Sequence, residues 1–171
     1  PMAWACKNGR LGVCKWLFHH GAAEDITTAN EDGDTPMHFA CYGGHLPVCE
    51  WLSKVGAAED TPRADNNGVT PMLVACKNGT LPVCVWLYGH GAAEDISNPN
   101  SKGDTPMHVA CRQGDLPVCE WLFEMGATED ISKADNDDCT PMYAACKNGH
   151  QSVGEWLFQI GAHEANSMAK N

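Results

Sequence analysis

The chain is poor in cations: 11 lysines and arginines stand against 22 aspartates and glutamates, a formal charge of -11. Nucleic-acid binding draws most of its affinity from Lys and Arg neutralising phosphates, so DNA and RNA are set aside as partners. No apolar run approaches the roughly 20 residues needed to cross a bilayer, and no charged start followed by an apolar segment suggests a signal peptide. Membrane insertion is not expected. The motifs of catalysis are missing too: there is no Gly-rich phosphate loop, no nucleophile elbow and no His-Glu-x-x-His. Neither an enzyme nor a cofactor is expected of this segment. Calcium takes about six to eight oxygens converging from one loop, and no Asp-x-Asp-x-Asp-Gly spacing with a later Glu occurs.

What is present is repetition. Thr-Pro-Met recurs at Thr35, Thr70, Thr105 and Thr140, with Pro-Met alone at Pro1, so one pattern returns every 35 residues. Tryptophan keeps the same phase at Trp16, Trp51, Trp86, Trp121 and Trp156. A fixed period of this length marks a repeat protein, whose units bury their apolar faces against one another in a linear core. The units are read as 1–34, 35–69, 70–104, 105–139 and 140–171 of a single array. The chain begins inside a unit, and Leu11, Val13, Cys14, Trp16 and Leu17 match interior positions where a terminal repeat would turn polar. The expectation is therefore a fragment of a longer array.

Ten cysteines in a small secreted domain would suggest a disulfide framework. Nine of them instead fall at two fixed repeat positions: Cys6, Cys41, Cys76, Cys111 and Cys146, and Cys14, Cys49, Cys84 and Cys119, where Gly154 takes the fifth place. Both positions ask for a small, buried, mildly apolar side chain. Reduced core thiols and an intracellular setting follow, cytoplasmic or nuclear, with Cys139 the exception in a loop. The two cysteines of a unit are eight residues apart rather than the usual two to four, and His19 and His20 lack a matching pair, so zinc is not expected.

The unit from Thr35 to Val69 shows the local logic. Thr35 can cap a helix, Pro36 fits its first position, and Met37 to Tyr42 continues in helix-compatible residues to Gly43 and Gly44. A second helix starts near Leu46 and Pro47, presents Val48, Cys49, Trp51 and Leu52 as an apolar stripe, and stops at Gly56. Between Gly56 and Thr70 lies a projecting loop, with Asn66, Asn67 and Gly68 suited to the positive backbone angles of a tight turn. Helices this short are marginal alone, so stacking must stabilise them. A tryptophan burying roughly 150 to 250 Å² contributes on the order of 4 to 6 kcal/mol at most, which casts the Trp ladder as the mortar.

The unit Thr-Pro-Met-His-x-Ala-Cys-x-x-Gly-His-Leu-Pro-Val-Cys-x-Trp-Leu-x-x-x-Gly-Ala resembles the ankyrin repeat, best at Thr35 to Ala57 and Thr105 to Ala127. The resemblance covers nearly the whole chain and implies an all-α solenoid of helix-turn-helix units with projecting hairpin loops. A tetratricopeptide array shares two helices and a similar period but lacks the Thr-Pro start and the Gly-Ala stop. Departures are visible. The family period is about 33, and the two extra residues here fall before the next Thr-Pro, so a longer or differently bent hairpin is expected. The family histidine, which ties down the first helix, survives as His38 and His108, with Ala3, Leu73 and Tyr143 elsewhere. The last unit drifts at Gln151, Ser152 and Gly154, with no hairpin signal in Ala162 to Asn171, and is read as a partial C-terminal cap.

The resemblance also implies a protein or peptide partner held in the concave face of the first helices and at the hairpin tips. Its variable positions fall on Lys7 and Asn8, Tyr42 and Gly43, Lys77 and Asn78, Arg112 and Gln113, and Lys147 and Asn148. Tip positions include Asp34, Lys102 and Asp104, and a further contact position maps to His20, Val55, His90, Met125 and Ile160. Physically, Lys7, Lys77, Arg112 and Lys147 form a cation column in an acidic molecule, interrupted by Tyr42 and suited to an acidic peptide with an apolar anchor. The same cations also complement helix dipoles and need no ligand for that. Tyr42, Arg112 and Gln113 stand out because they break the repeated Lys-Asn pattern. The pairs Glu24-Asp25, Glu59-Asp60, Glu94-Asp95 and Glu129-Asp130 read as a solvated edge, with repulsion between rungs softened over a Debye length of roughly 8 Å. Three readings follow: an interaction module, a structural spacer with no ligand of its own, or the arm of a larger enzyme or channel. A monomer is expected, with a dimer through an exposed apolar edge as the alternative.

Overall fold

Each Thr-Pro step starts a helix because the threonine is extended while the proline is already set for the first turn. The first helices are α1 (Met2–Lys7), α3 (Pro36–Tyr42), α5 (Pro71–Lys77), α7 (Pro106–Gln113) and α9 (Pro141–Lys147). Each is followed by an antiparallel second helix: α2 (Leu11–His19), α4 (Leu46–Leu52), α6 (Leu81–Tyr88), α8 (Leu116–Glu124) and α10 (Gln151–Met168). The computed structural model describes the backbone of residues 1–168 and the side chains of residues 1–161. Among these residues there are ten α-helices and no strand, an all-α helical solenoid. The hydroxyls of Thr70 and Thr140 accept the Leu73 and Tyr143 N–H groups at 3.2 and 3.3 Å. After α4 the chain makes one π turn over Ser53–Ala57, and Gly56 takes the left-handed φ of 126° that ends the helix.

The first helices stack side by side as the continuous spine, and the second helices lean on them as a more loosely packed outer row. The fully buried ladder is made of Met2, Met37, Met72 and Met107, of Val48, Val83, Val118 and Val153, and of Leu52, Leu87 and Leu122, with the cysteines between them. The tryptophans are not the mortar. Trp16 is 58% exposed, and Trp51, Trp86, Trp121 and Trp156 are only half-buried along the outer row. There three of them meet the preceding second helix edge to face, Phe18 with Trp51 at 5.8 Å, Tyr88 with Trp121 at 5.9 Å and Phe123 with Trp156 at 6.0 Å, whereas Trp86 faces a unit with Ser53 at that place. Partial burial places each below the energy expected of a fully covered indole.

Both ends leave interior-type residues uncovered. Val13 is 45% exposed although its counterparts Val48, Val83, Val118 and Val153 are buried at 1% or less. At the other end Phe158 is 72% exposed, and Cys146 lies open, unlike Cys6, Cys41, Cys76 and Cys111. Helix α10 passes straight through Gly161 to Met168. The last unit, read as a partial cap, thus leaves apolar surface open among its described side chains, and Ala162 to Asn171 lie outside them.

The segment after each Gly-Ala is more than a long hairpin. It opens with a 3-10 turn at Glu24–Ile26, Ala58–Asp60, Glu94–Ile96 and Glu129–Ile131. The turn tucks Ile26, Ile96 and Ile131 under the helices, drawing in the aspartate beside Ile96 and Ile131 and, in the second unit, Asp60 beside Thr61, while Asp25 stays half-buried. The acidic edge is therefore half wrong as a solvated strip: the glutamates are exposed, but Asp60, Asp95 and Asp130 are buried. Burial raises the pKa of all three above the ordinary carboxylate value. One oxygen of each, Oδ2, has no protein hydrogen-bond partner. At the hairpin tip the positive φ falls on Gly33, Gly68 and Gly103, not on the asparagines, and on Asp138 in the fourth hairpin at 58°.

Candidate functional site

The last turns of the first helices and the hairpin tips enclose a groove. Its central cavity, about 430 Å³, has Leu73, Val74 and Val109 among its lining, with Tyr42, Lys77, Arg112 and Lys102 around them. A second cavity of about 230 Å³ is bounded by Lys7, Asp34, Phe39 and Tyr42. Both include Tyr42 and Val74, so one groove runs across the first four units. Of the candidate residues, Lys7, Asp34, Tyr42, Lys77, Asn78, Asp104 and Arg112 are brought together there, whereas Gln113, Lys147 and Asn148 line neither cavity.

The cations are not equivalent. Lys7 Nζ sits 4.6 Å from the Tyr42 ring centre, and Lys147 Nζ sits 5.6 Å from the Tyr143 ring. Arg112 is engaged by carboxylates: both terminal nitrogens donate to Asp104, one of them at 3.3 Å, and Asp135 lies at 3.8 Å. Its guanidinium pKa is pushed further up, chiefly by the hydrogen bond with Asp104. Asp104 is 6% exposed, so the pair is a clamp between successive hairpins as much as a docking charge. Lys77 and Lys102 form no ion pair among the described residues.

The asparagines of the column have a local task. Asn8, Asn78 and Asn148 each donate Nδ2 to the carbonyl four residues back, at 2.8 Å, closing the end of their own helix. Tyr42 and Gln113 are exposed where the other units carry this Lys-Asn end. Asp34 accepts from Asn30 Nδ2 at 3.2 Å. The contact positions His20 and His90 stack on Trp16 and Trp86 at 4.3 and 4.5 Å, and each ring Nδ1 meets the carbonyl of that tryptophan at 2.7 Å.

The rim of the groove is fixed by residues the sequence reading passed over. Asn30, Asp65, Asn100 and Asp135 each accept two backbone N–H groups across their tip, for Asp65 from Asn67 at 2.7 Å and Val69 at 2.8 Å. An Asn or Asp every 35 residues was the visible signal. Adjacent tips are then tied together: the backbone N–H groups of Asn66, Ser101 and Asn136 donate to Asp32, Asn67 and Lys102 carbonyls at 2.9, 2.8 and 2.9 Å.

The two surviving histidines do more than start a helix. His38 Nδ1 accepts from the Thr35 N–H at 3.2 Å, which leaves the proton on Nε2 to be donated to Val69 O at 3.0 Å. His108 repeats this with Thr105 at 3.2 Å and Cys139 O at 3.2 Å. Each imidazole thus joins its unit to the next hairpin. From the second helices, His45 and His150 reach back to the carbonyls of Lys7 and Arg112 at 3.1 and 3.0 Å.

No described helix is long and apolar enough to cross a membrane. A family model described as ankyrin repeats in three copies matches residues 2–98 and again residues 84–169. No curated protein matches the chain.

Proposed function

The chain belongs to the ankyrin-repeat family, and from that membership we propose that its five units act as one array that holds a protein or peptide partner in the groove over Tyr42 and Lys77. Ankyrin repeats generally serve as protein-protein interaction modules and are typically non-catalytic. The observation that carries the finer reading is the central cavity, where apolar Leu73, Val74 and Val109 lie between an exposed Tyr42 and the unpaired Lys77 and Lys102. An acidic segment with one apolar anchor matches that surface: the anchor fills the cavity and the carboxylates meet the lysines. Arg112 and Asp104 contribute a fixed polar wall rather than a free charge, and Asn78 supports the helix end beneath it.

The spacer reading has its own observation. Arg112, Asn78 and Asn148 are already satisfied within the protein. The two readings separate in a peptide-display selection on the immobilised protein, run beside Tyr42→Ala with Lys77→Glu and beside a Glu59→Gln control far from the groove. The module reading expects wild type and control to enrich acidic peptides with a single large apolar residue, with retention falling as salt rises, and the groove variant to lose them. Enrichment of the same peptides by all three proteins, or by none, would leave the spacer.

A further inference from the structure

Cysteines eight residues apart in sequence meet across each helical hairpin, because the first-helix and second-helix positions face one another in the core. The sulfur-to-sulfur distances are 3.7 Å for Cys6 with Cys14, 3.9 Å for Cys41 with Cys49, 3.7 Å for Cys76 with Cys84 and 3.6 Å for Cys111 with Cys119. All eight are free thiols with no exposed surface. The fifth unit breaks the series, since Cys146 is exposed and Gly154 stands where its partner would be.

We propose that these four dithiols are sites of reversible oxidative cross-linking, each closing to a disulfide that pins the two helices of its unit together. The sulfurs of each pair are already in contact, and closing to a disulfide brings them together by a further ~1.6 to 1.9 Å. A soft cation held between two thiolates would instead have to force them apart in a packed core, and among the described residues no third His, Cys, Asp or Glu joins a pair to hold it. The product is also neutral, as an apolar core requires. The oxidant is a small hydroperoxide. One sulfur attacks its terminal oxygen, the O–O bond breaks, and a sulfenic acid and an alcohol, or water from hydrogen peroxide itself, result. The partner sulfur then attacks the sulfenic sulfur, expels water and forms the S–S bond. Per bridge, two thiols and one hydroperoxide become one disulfide, one alcohol or water, and one water. A dithiol reductant restores the pair by exchange.

Burial makes the reaction depend on opening of the unit, so the order of closure follows position in the array. The first unit leads, since its outer face is uncovered at Val13. The two sulfurs share one hydrogen bond in which either can donate, so either can attack while the other resolves.

The test treats the full chain with hydrogen peroxide under native conditions, blocks remaining thiols with N-ethylmaleimide after unfolding, and maps tryptic peptides by mass. Lys7, Arg10, Lys77 and Arg112 lie between paired cysteines, so three bridges appear as two linked peptides and Cys41–Cys49 as one peptide lighter by two hydrogens. The expected result is Cys6–Cys14, Cys41–Cys49, Cys76–Cys84 and Cys111–Cys119 bridged, the first fastest, all reversed by dithiothreitol, with helical circular dichroism unchanged. Cys14→Ser should lose the first bridge and keep the other three. Exposed Cys146 reports that oxidant acted. Conversion of Cys146 with all eight paired thiols still blocked by maleimide overturns the proposal, as do bridges between different units or bridging that abolishes the helical signal.

Discussion

Replacing His108 by leucine imports a solution the protein already uses, because Leu73 fills the same place in the middle unit at 2% exposure. The variant loses the bonds from Thr105 N–H at 3.2 Å and to Cys139 O at 3.2 Å, and strands both backbone groups. Each bond contributes about 1 kcal/mol net, and the added apolar burial of leucine returns about 1 kcal/mol, so His108→Leu should be less stable by about 1–2 kcal/mol near pH 7.5. Acid changes the comparison. Burial lowers the His108 pKa below its ordinary 6.5, so the unfolded chain takes up a proton that the folded chain resists. The stability tied to the neutral ring is complete above the unfolded pKa and is lost as pH falls from there towards the folded pKa. The wild type therefore loses up to about 1.4 kcal/mol per pH unit through this group within that window, and the variant does not. Asp60, Asp95 and Asp130 act in the opposite direction, since raised carboxylate pKa values make the fold gain stability as acid protonates them, but they do so in both proteins and cancel in the difference. Urea unfolding followed by circular dichroism from about pH 7.5 to about pH 5 measures it. The gap should narrow below the ordinary histidine pKa. Parallel stability curves for the two proteins would refute a buried, neutral, cross-linking His108.

Asp95→Asn keeps the shape of a buried side chain while removing the charge on an unpartnered Oδ2, and should raise stability by about 1 kcal/mol at neutral pH, with the advantage fading as pH falls through the raised folded pKa and Asp95 protonates; thermal melts at two pH values check it. Asp138 holds the left-handed angle that Gly33, Gly68 and Gly103 hold elsewhere, so Asp138→Gly should stabilise by roughly 1 kcal/mol in urea unfolding. Leu87→Ala should cost about 3–5 kcal/mol from a fully buried site, and Trp86→Ala less, about 2–3 kcal/mol, from a half-buried one; the reverse order would restore the tryptophan ladder as the mortar.

Helix starts and stops were legible because they are local decisions: Thr-Pro sets an extended cap before a pre-formed turn, and Gly56 offers the left-handed angle that ends a helix. The period then gave the stacking. Which apolar residue faces inward was not legible, since Met and Trp are both hydrophobic and only the unequal packing of the two helical rows sorts them. Burial of Asp95 was hidden for a related reason, as Glu-Asp reads as surface until the 3-10 turn rotates one of the two inward with Ile96. In the groove, the positions of Tyr42, Lys77 and Arg112 were legible from the pattern. The capture of Arg112 by Asp104 and Asp135 was not, because it depends on where two hairpins converge, and the cysteine pairs came together only through the antiparallel fold of each unit.

Tips hydrogen-bonded to their neighbours, beside a tightly stacked row of first helices, make the groove side of this array the one that resists stretching. The outer row, with half-buried tryptophans meeting aromatic edges, can spread or close at little cost. When the array bends, it does so about an axis lying near the groove, much as a strip bends about the layer that keeps its length. Curvature then changes mainly on the back of the protein, while the spacing from one rung of the groove to the next stays constant. If the groove holds a partner as proposed, one that spans several units would meet a ruler with set graduations, its marks kept in register.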